Sequence, residues 1–166
     1  MPKFPSGYNP KGIGERSEAQ IIASFLKHGF VVLTPFGDNQ RYDLVVQEGE
    51  KFIRVQCKTA RMSKFLKGRA FAFNACSTNW YQKSKRSYKG DADVFAVYLR
   101  ETDEVFVVPV EDANNSECVL RLNEGNAKNT PRNKKFRMAK DYLFDPNRSL
   151  LDYPKRAYPN GRGSAF

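Results

Sequence analysis

The sequence has few of the residues that build thiolate metal sites and disulfide frameworks. It holds three cysteines, Cys57, Cys76 and Cys118, with no CxxC pair, and a single histidine, His28. An odd number of widely spaced cysteines argues against a zinc knuckle or a disulfide-stapled fold, and we expect a reducing compartment. The longest apolar run falls far short of the roughly 20 residues of a membrane-spanning helix, and residues 1–10 lack the apolar segment of a secretory signal. We therefore expect no membrane partner.

Acidic residues are missing from a stretch of forty residues. Residues 51–90 contain eleven Lys and Arg and no Asp or Glu, within a chain of 166 residues whose net charge is +10. A block of one sign repels itself and is tolerated where a polyanion faces it; chance clustering of surface charge is the alternative. Aromatic residues interleave the block: Phe65, Phe71, Phe73, Trp80, Tyr81 and Tyr88. Because rings either stack on bases or fill a core, the pattern favours a nucleic-acid partner without assigning each ring.

The apolar pattern predicts one folded domain at residues 13–145, between an N-terminal tail at 1–12 and a basic C-terminal tail at 146–166. The spacing of Ile21, Ile22, Phe25 and Leu26 predicts a helix over Gly14–His28 that Gly29 ends. Two hairpins are expected, Asp43–Gln47 with Phe52–Lys58 and Ala92–Leu99 with Glu104–Pro109. Further strands are expected at Phe30–Phe36, Arg69–Ala75 and Cys118–Leu122, a polar connection at Asn79–Gly90, and more helix near Val110–Asn115. This order predicts an α/β sandwich around a mixed sheet.

Polar side chains alternate with apolar ones along the third expected strand. Ile53, Val55 and Cys57 share one face, and Arg54, Gln56 and Lys58 share the other. The hairpin brings Asp43, at the start of the preceding strand, within reach of Gln56 and Lys58. A carboxylate, an amide oxygen and an ammonium group suit a divalent metal and a phosphate. A plain surface hairpin is the alternative.

These residues resemble the signature of the PD-(D/E)xK nucleases. Asp43 is followed thirteen positions later by Gln56-Cys57-Lys58, and the preceding helix carries Glu18. The helix resembles the first helix of archaeal Holliday junction resolvases. The segments GERSEAQIIASFL, TPFGDNQRYDLVV, RVQCKTAR and FAVYLRETDEVFVVPV resemble the group I intron-associated homing endonucleases more closely, over roughly residues 12–145. The resemblance implies a restriction-endonuclease-like α/β core, a mixed β-sheet flanked by helices.

The resemblance also implies a role for each site residue. Asp43 would be the central metal ligand, Gln56 would occupy the (D/E) position, and Lys58 would be the catalytic lysine. Glu18 would complete the metal site from the helix, with Glu15, one turn earlier, as the competing candidate. A solvated glutamate near the helix N-terminus is the plain alternative for either. Glutamine contributes one charge less than a carboxylate, and as the resemblance implies, it favours the homing branch over the resolvases.

Candidate phosphate contacts fall in two clusters of the basic block. The first is Arg61, Lys64, Lys67 and Arg69, and the second is Lys83, Lys85, Arg86 and Lys89. Arg132, Lys134, Lys135 and Arg137 either add to a DNA surface or guard a strand edge. The loop residues Asn39, Gln40 and Arg41 either touch substrate or shape the turn. His28, at a helix end, is expected at the surface, and Cys57 is expected to face the core.

The expected function is that of a site-specific double-strand DNA endonuclease that uses Mg²⁺ and tolerates Mn²⁺. Cutting two strands with one site per chain implies self-association, as a homodimer or homotetramer. The expected setting is the cytoplasm, with the nucleoid, of a prokaryote or a phage-infected cell. A Holliday junction resolvase, another repair or restriction nuclease of the superfamily, and a basic DNA-binding module with a decayed site remain alternatives.

Overall fold

The computed structural model describes residues 9–79, 81–113, 116–123 and 136–155. One helix, α1 (Pro10–Lys27), precedes all the strands. The strands are β1 (Val31–Leu33), β2 (Leu44–Glu48), β3 (Lys51–Thr59), β4 (Arg61–Met62), β5 (Ala70–Asn74), β6 (Cys76–Asn79), β7 (Ser84–Ser87), β8 (Val94–Leu99), β9 (Glu104–Pro109) and β10 (Glu117–Arg121).

The helix begins earlier than the apolar spacing predicts. Asn9 caps it, its side-chain oxygen accepting from the Gly12 N–H at 3.1 Å, and Pro10 occupies the first helical turn. Proline fits there because the N–H it lacks has no partner inside the helix. Residues 10–12, assigned to the tail by the sequence analysis, therefore belong to the helix. The C-terminal end is as expected, with Gly29 at a φ of 82° directly after the cap residue His28.

The main sheet has the strand order β1-β2-β3-β8-β9. Strands β3 and β8 run parallel, and the other neighbours in this sheet are antiparallel. A two-residue turn, Gly49-Glu50, joins β2 to β3. Gly49 has a φ of 58°, which residues other than glycine rarely adopt. Both expected hairpins are present, and the sheet is mixed, as predicted.

Two smaller sheets stand beside the main sheet. One has the order β10-β5-β4, and the other is the hairpin of β6 and β7. The segment Asn79–Gly90, expected to be a connection, contains strand β7 and the turn that joins it to β6. The expected helix near residue 110 is a single 3-10 turn, Val110–Asp112.

Each face of the main sheet packs against its own hydrophobic core. On one face, Ile21 and Phe25 of α1 pack against Leu44, Val46 and other residues of the central strands. The opposite core lies between the main sheet and the β10-β5-β4 sheet and includes both Phe71 and Phe73. Two rings of the basic block therefore fill the core rather than face a partner.

The first part of the expected C-terminal tail packs into the domain. Leu150 and Tyr153 are buried in the core beneath α1, at 0% and 2% exposure. Glu48, at the end of β2, accepts hydrogen bonds from Ser149 Oγ at 2.6 Å and from the Leu150 N–H at 2.8 Å. Residues 146–155 are therefore part of the folded domain, contrary to the expected boundary at 145. Residues 156–166 lie outside the described residues.

The architecture is the restriction-endonuclease-like α/β core expected above, a mixed sheet with a helix on one face. None of the helices among the described residues is long and apolar enough to cross a membrane.

Candidate active site

The two-residue turn between β2 and β3 fixes which side chains meet at the far end of the hairpin. Leu44 pairs with Val55, and the Asp43 N–H donates to the Val55 carbonyl at 2.9 Å. This register brings Asp43 to Gln56, as the alternation predicts. Asp43 Oδ2 accepts from Gln56 Nε2 at 2.6 Å and from the Cys57 N–H at 2.7 Å. The carboxylate is thereby held in one orientation at the start of β2.

Glu18 approaches this carboxylate from α1. Thr59 Oγ1, at the end of β3, donates to the buried Ser17 Oγ at 2.7 Å, which joins the helix to the strand next to Glu18. Burial raises the pKa of Glu18, and the negative charges of Asp43 and Glu15 add to that rise. Glu15 itself is exposed. Asp43 thus contributes to the raised pKa of Glu18, and the role of Glu18 as a metal ligand stays a prediction.

Asp43 also holds its proton more tightly than an ordinary aspartate. Burial raises the pKa of Asp43, and the Cys57 hydrogen bond, the Lys58 charge and the Gln56 hydrogen bond only partly oppose the rise. Two carboxyls whose pKa values are raised first by burial thus share one region beside the start of β2. Such a region favours a cation.

The donor set fits a hard divalent cation. Mg²⁺ takes oxygen ligands, and Asp43, Glu18 and the side-chain oxygen of Gln56 supply two carboxylates and an amide. Within the described ranges, Asp43 accepts its hydrogen bonds on Oδ2, and Oδ1 has no protein donor. No group of three His, Cys, Asp or Glu side chains in the described part of the chain is arranged to hold a metal.

Lys58 is held by an aromatic ring that the sequence analysis did not assign. Its Nζ donates to Tyr88 Oη at 3.2 Å and lies 4.4 Å from the centroid of the Tyr88 ring. Tyr88 is 8% exposed, and the Arg41 guanidinium lies 4.7 Å from the same ring. In the sequence, Tyr88 stands out only as one of the aromatic residues of the basic block. Its contact with Lys58 spans thirty residues of chain, so no local pattern predicts it.

Arg41 is anchored at the base of the β6–β7 hairpin. Its guanidinium donates to Ser77 Oγ at 3.1 Å and to the Ser87 carbonyl at 2.7 Å. Its Nε lies 2.7 Å from Asp91 Oδ2, an ion pair without hydrogen-bond geometry. These contacts fasten the loop before Asp43, and a contact of Arg41 with substrate stays a prediction. Tyr88 and Arg41 together link Lys58 to the hairpin.

Two other candidates lie where the sequence analysis expected them. Cys57 packs against the core beneath α1, and burial, followed by the charges of Asp43 and Glu18, raises its pKa well above the usual value. A thiol in that state is a poor nucleophile. His28 is exposed at the end of α1, with Nδ1 2.8 Å from the Ser24 carbonyl oxygen.

The expected phosphate contacts are all exposed. They are Arg61, Lys64, Lys67, Arg69, Lys83, Lys85, Arg86 and Lys89. Two of them have acidic partners: Arg61 lies 2.5 Å from Glu117 Oε1, and Arg86 lies 3.5 Å from Asp91 Oδ2. The first cluster surrounds the turn between β4 and β5, and the second follows the β6–β7 hairpin. Their contact with DNA stays a prediction.

Arg137 does not belong to a DNA surface. It is 6% exposed, and its Nε donates to Asp112 Oδ2 at 2.9 Å, with a further bond from the guanidinium to the Asp112 carbonyl. Tyr142 Oη also donates to Asp112 Oδ2, at 2.9 Å. Arg137 therefore neutralises a buried carboxylate, contrary to the expectation. Arg132, Lys134, Lys135 and Trp80 lie outside the described residues.

Known proteins resemble this chain in sequence. The model of a family described as PD-(D/E)XK endonuclease matches residues 8–145. Protein 5.3 of Escherichia phage T7 is 31% identical over 114 residues, which are 68% of this chain and 92% of the phage protein.

Two solved structures match this chain, and the first of them shares its fold. The bacterial homing endonuclease I-Ssp6803I matches with a TM-score of 0.57 and 23% identity, over 81% of this chain and 86% of the endonuclease. Hjc, a Holliday junction resolvase of Archaeoglobus fulgidus, matches with a TM-score of 0.41 and 16% identity, over 63% of this chain and 81% of the resolvase.

Proposed function

The chain belongs to the PD-(D/E)XK endonuclease family, and from that premise we propose that it is a metal-dependent homing-type endonuclease that cuts both strands of DNA at a specific site. One observation carries the proposal. Asp43 is bonded to Gln56 across the β2–β3 hairpin, and Lys58 follows on the same face of β3. A plain surface hairpin gives no reason for a carboxylate of raised pKa at this point, beside a second carboxylate from α1.

Each side chain has a task in phosphodiester hydrolysis. Asp43, the Gln56 oxygen and Glu18 would hold Mg²⁺, with Mn²⁺ tolerated, and the bound ion supplies Lewis-acid chemistry and a more acidic water. The water oxygen bonds to phosphorus while the bond from phosphorus to the 3′ oxygen breaks, leaving a 5′-phosphate and a 3′-hydroxyl. Lys58 stabilises the negative charge that grows on the phosphoryl oxygens. Tyr88 holds the Lys58 ammonium in place for that task.

Gln56 sets the expected metal affinity. A glutamine oxygen is neutral, so the site binds a divalent ion with one charge less than an Asp-Glu pair provides. Burial is the main cause of the raised pKa values of Asp43 and Glu18, and a bound cation would offset the cost of keeping both carboxyls charged there. We expect weaker metal binding than at a site with a carboxylate in place of Gln56.

Double-stranded DNA and a second copy of this chain are the proposed partners. The exposed basic side chains of residues 61–89 supply phosphate contacts. One chain carries one candidate site, so cutting both strands calls for a homodimer or homotetramer with a matching pseudo-two-fold DNA target.

The test is a digest of complex genomic DNA, spiked with a labelled four-way junction, in Mg²⁺ and in EDTA, with the new ends sequenced. Lys58→Ala is the catalytic variant. Lys51→Ala is its matched control, an exposed lysine at the other end of the same strand. We expect recurrent ends at one roughly symmetric site for the wild type and for Lys51→Ala. We expect no ends in EDTA and a loss of about 10²- to 10³-fold in Lys58→Ala.

Two other outcomes favour the alternatives. Symmetric nicks confined to the junction would assign the protein to the resolvases. Equal DNA binding by the wild type and Lys58→Ala, with no metal-dependent cleavage of either substrate, would identify a DNA-binding module with a decayed site.

A further inference from the structure

Two aromatic rings stand free of the protein at the turns of two hairpins. Phe65, between β4 and β5, is 98% exposed, and Tyr81, between β6 and β7, is 100% exposed. Two other rings of the same basic block, Phe71 and Phe73, are buried in the core. Burial would favour such a ring, so a ring that the fold leaves bare is available to a partner.

The turns that carry the rings are defined by hydrogen bonds. Asn79 Oδ1 accepts from the Tyr81 N–H at 3.0 Å and from the Gln82 N–H at 3.2 Å. Ser63 Oγ accepts from the Leu66 N–H at 3.3 Å, and the Ser63 carbonyl accepts from the Gly68 N–H at 3.3 Å. Because these bonds order the backbone of each turn, less backbone entropy is lost when a partner binds the rings.

Along the sequence, lysines lie close to both rings, and residues 51–90 contain no Asp or Glu. Lys64 and Lys67 flank Phe65, and Lys83 and Lys85 follow Tyr81. All four lysines are exposed. This combination of a bare ring with flanking ammonium groups fits a nucleic-acid strand, in which bases and phosphates alternate.

Both hairpins begin beside the candidate active site. Strand β4 starts at Arg61, three residues after Lys58, and β7 leads into Tyr88, which holds Lys58. Tyr81, Arg41 and Arg86 line a cleft of about 560 Å³ at the β6–β7 hairpin. The volume lies within the range of small-ligand clefts, and two arginines stand among the lining residues.

We propose that Phe65 and Tyr81 are two prongs that stack on bases displaced from the helical stack of the DNA substrate. The inference rests on the proposed function and adds to it that the enzyme binds unstacked or bent DNA more tightly than straight duplex. Ring–base stacking tolerates any sequence, so the prongs contribute affinity for deformed DNA rather than base readout.

Binding is measured in EDTA, so that no strand is cut, on a labelled duplex and on the same duplex with a short unpaired bulge that contains 2-aminopurine. The variants are Phe65→Ala and Tyr81→Ala, with Tyr81→Phe as the variant that keeps the ring. Phe52→Ala is the matched control, because Phe52 is 61% exposed and lies near the start of β3, away from both turns. Lys64→Ala and Lys83→Ala report the contribution of charge.

We expect the wild type to prefer the bulged duplex and to change the 2-aminopurine fluorescence on binding. Each ring-to-alanine change should weaken binding to the bulged duplex roughly 5- to 150-fold. It should leave the slope of log affinity against log salt unchanged, whereas each lysine variant should lower that slope by about one. Tyr81→Phe and Phe52→Ala should bind as the wild type does.

Wild-type affinity in both ring-to-alanine variants on both duplexes would overturn the inference. The proposed function is judged separately, by Mg²⁺-dependent cleavage. Cleavage with no effect of the rings rejects the prongs alone, ring-dependent binding without cleavage rejects the nuclease alone, and a wild type that binds no DNA rejects both.

Discussion

At the residue scale, the ionisation of Asp43 links metal binding to stability. Its pKa is raised, mainly by burial, so the folded protein holds this proton to a higher pH than the unfolded chain does. Stability is therefore lost as pH rises through the raised pKa. Asp43→Asn removes the charge and keeps an oxygen for the Gln56 and Cys57 donors. Without metal, the variant should match the wild type at acid pH and exceed it at neutral pH by a few tenths to about 1 kcal/mol.

Urea unfolding at a series of pH values, with and without Mg²⁺, measures the effect of Asp43→Asn. Added Mg²⁺ should stabilise the wild type and leave the variant unchanged, because one ligand is gone. Asp38→Asn, at an exposed loop aspartate, is the control for net charge. A variant less stable than the wild type at every pH would contradict the role given to Asp43.

Tyr88 is expected to position Lys58 rather than to bind substrate. Tyr88→Phe removes the 3.2 Å hydrogen bond and keeps the ring beneath the ammonium, so turnover should fall about 3- to 10-fold. Tyr88→Leu removes both contacts and should cost about 10- to 100-fold. Single-turnover cleavage and DNA affinity are measured together, and affinity should not change. Tyr142→Phe, which loses a buried hydroxyl bond to Asp112, is the control. If turnover fell equally in Tyr142→Phe and Tyr88→Phe, Tyr88 would have only a structural role and would not position Lys58.

The sequence predicts the centre of the site better than its support. The period of two along β3 and the glycine turn suffice to bring Asp43 to Gln56, and the hydrogen bond at 2.6 Å confirms that contact. Glu15 and Glu18 lie on nearly one helix face, so only the packing of α1 distinguishes them. Tyr88 comes thirty residues after Lys58, and no local pattern predicts a contact at that separation.

At the element scale, the hairpins differ in how clearly their sequence patterns predict them. Strands β8 and β9 are buried along almost their whole length, so a continuous apolar run predicts both. In the β6–β7 hairpin only Cys76 is buried, and Ser, Thr, Lys and Arg form most of both strands. That composition is typical of a loop, because the hairpin has no core face to mark its period.

Asp93 fastens the parallel pair β3 and β8 at the entry to β8. Its carboxylate accepts from the Arg54 backbone N–H at 2.8 Å and from the Arg54 guanidinium at 2.9 Å. Burial alone would raise the pKa of Asp93, but the Arg54 hydrogen bonds and charge outweigh it, and the pKa is lowered. Asp93→Asn should therefore destabilise the protein at neutral pH by about 1 kcal/mol, after allowance for partial exposure.

The pH dependence identifies the cause in Asp93→Asn. A lowered pKa adds stability above the ordinary aspartate range, and that stability is lost as pH falls through the lowered pKa. The difference between wild type and variant should thus be constant near neutrality and disappear in acid. Thermal unfolding across pH measures it, with the exposed Asp141→Asn as control. A difference that persists in acid would assign the loss to packing instead of charge.

At the scale of the whole molecule, the segment after residue 145 closes the core beneath α1. Its two buried residues, Leu150 and Tyr153, lie among Pro, Arg, Ser and Asp residues. Because this composition is typical of a tail, the sequence predicts a tail there. Arg148 covers the Tyr153 ring, with its guanidinium 4.3 Å from the centroid. The Asp145 N–H donates to Tyr153 Oη at 2.9 Å, which ties the segment to the strand-rich part of the chain.

Two truncations test whether the folded domain ends at residue 145 or at residue 155. A chain ending at Lys155 keeps both anchors and should unfold in urea as the full chain does. A chain ending at Asp145 loses two buried side chains, worth about 1.5 to 3 kcal/mol each. A domain of this kind is stable by only about 5 to 15 kcal/mol, so the shorter chain should unfold far more easily or not fold at all. Leu150→Ala in the full chain should lose about 2 to 5 kcal/mol, which separates the loss of the anchor from the loss of chain length. If both truncated chains were equally stable, residues 146–155 would not contribute to the folded domain.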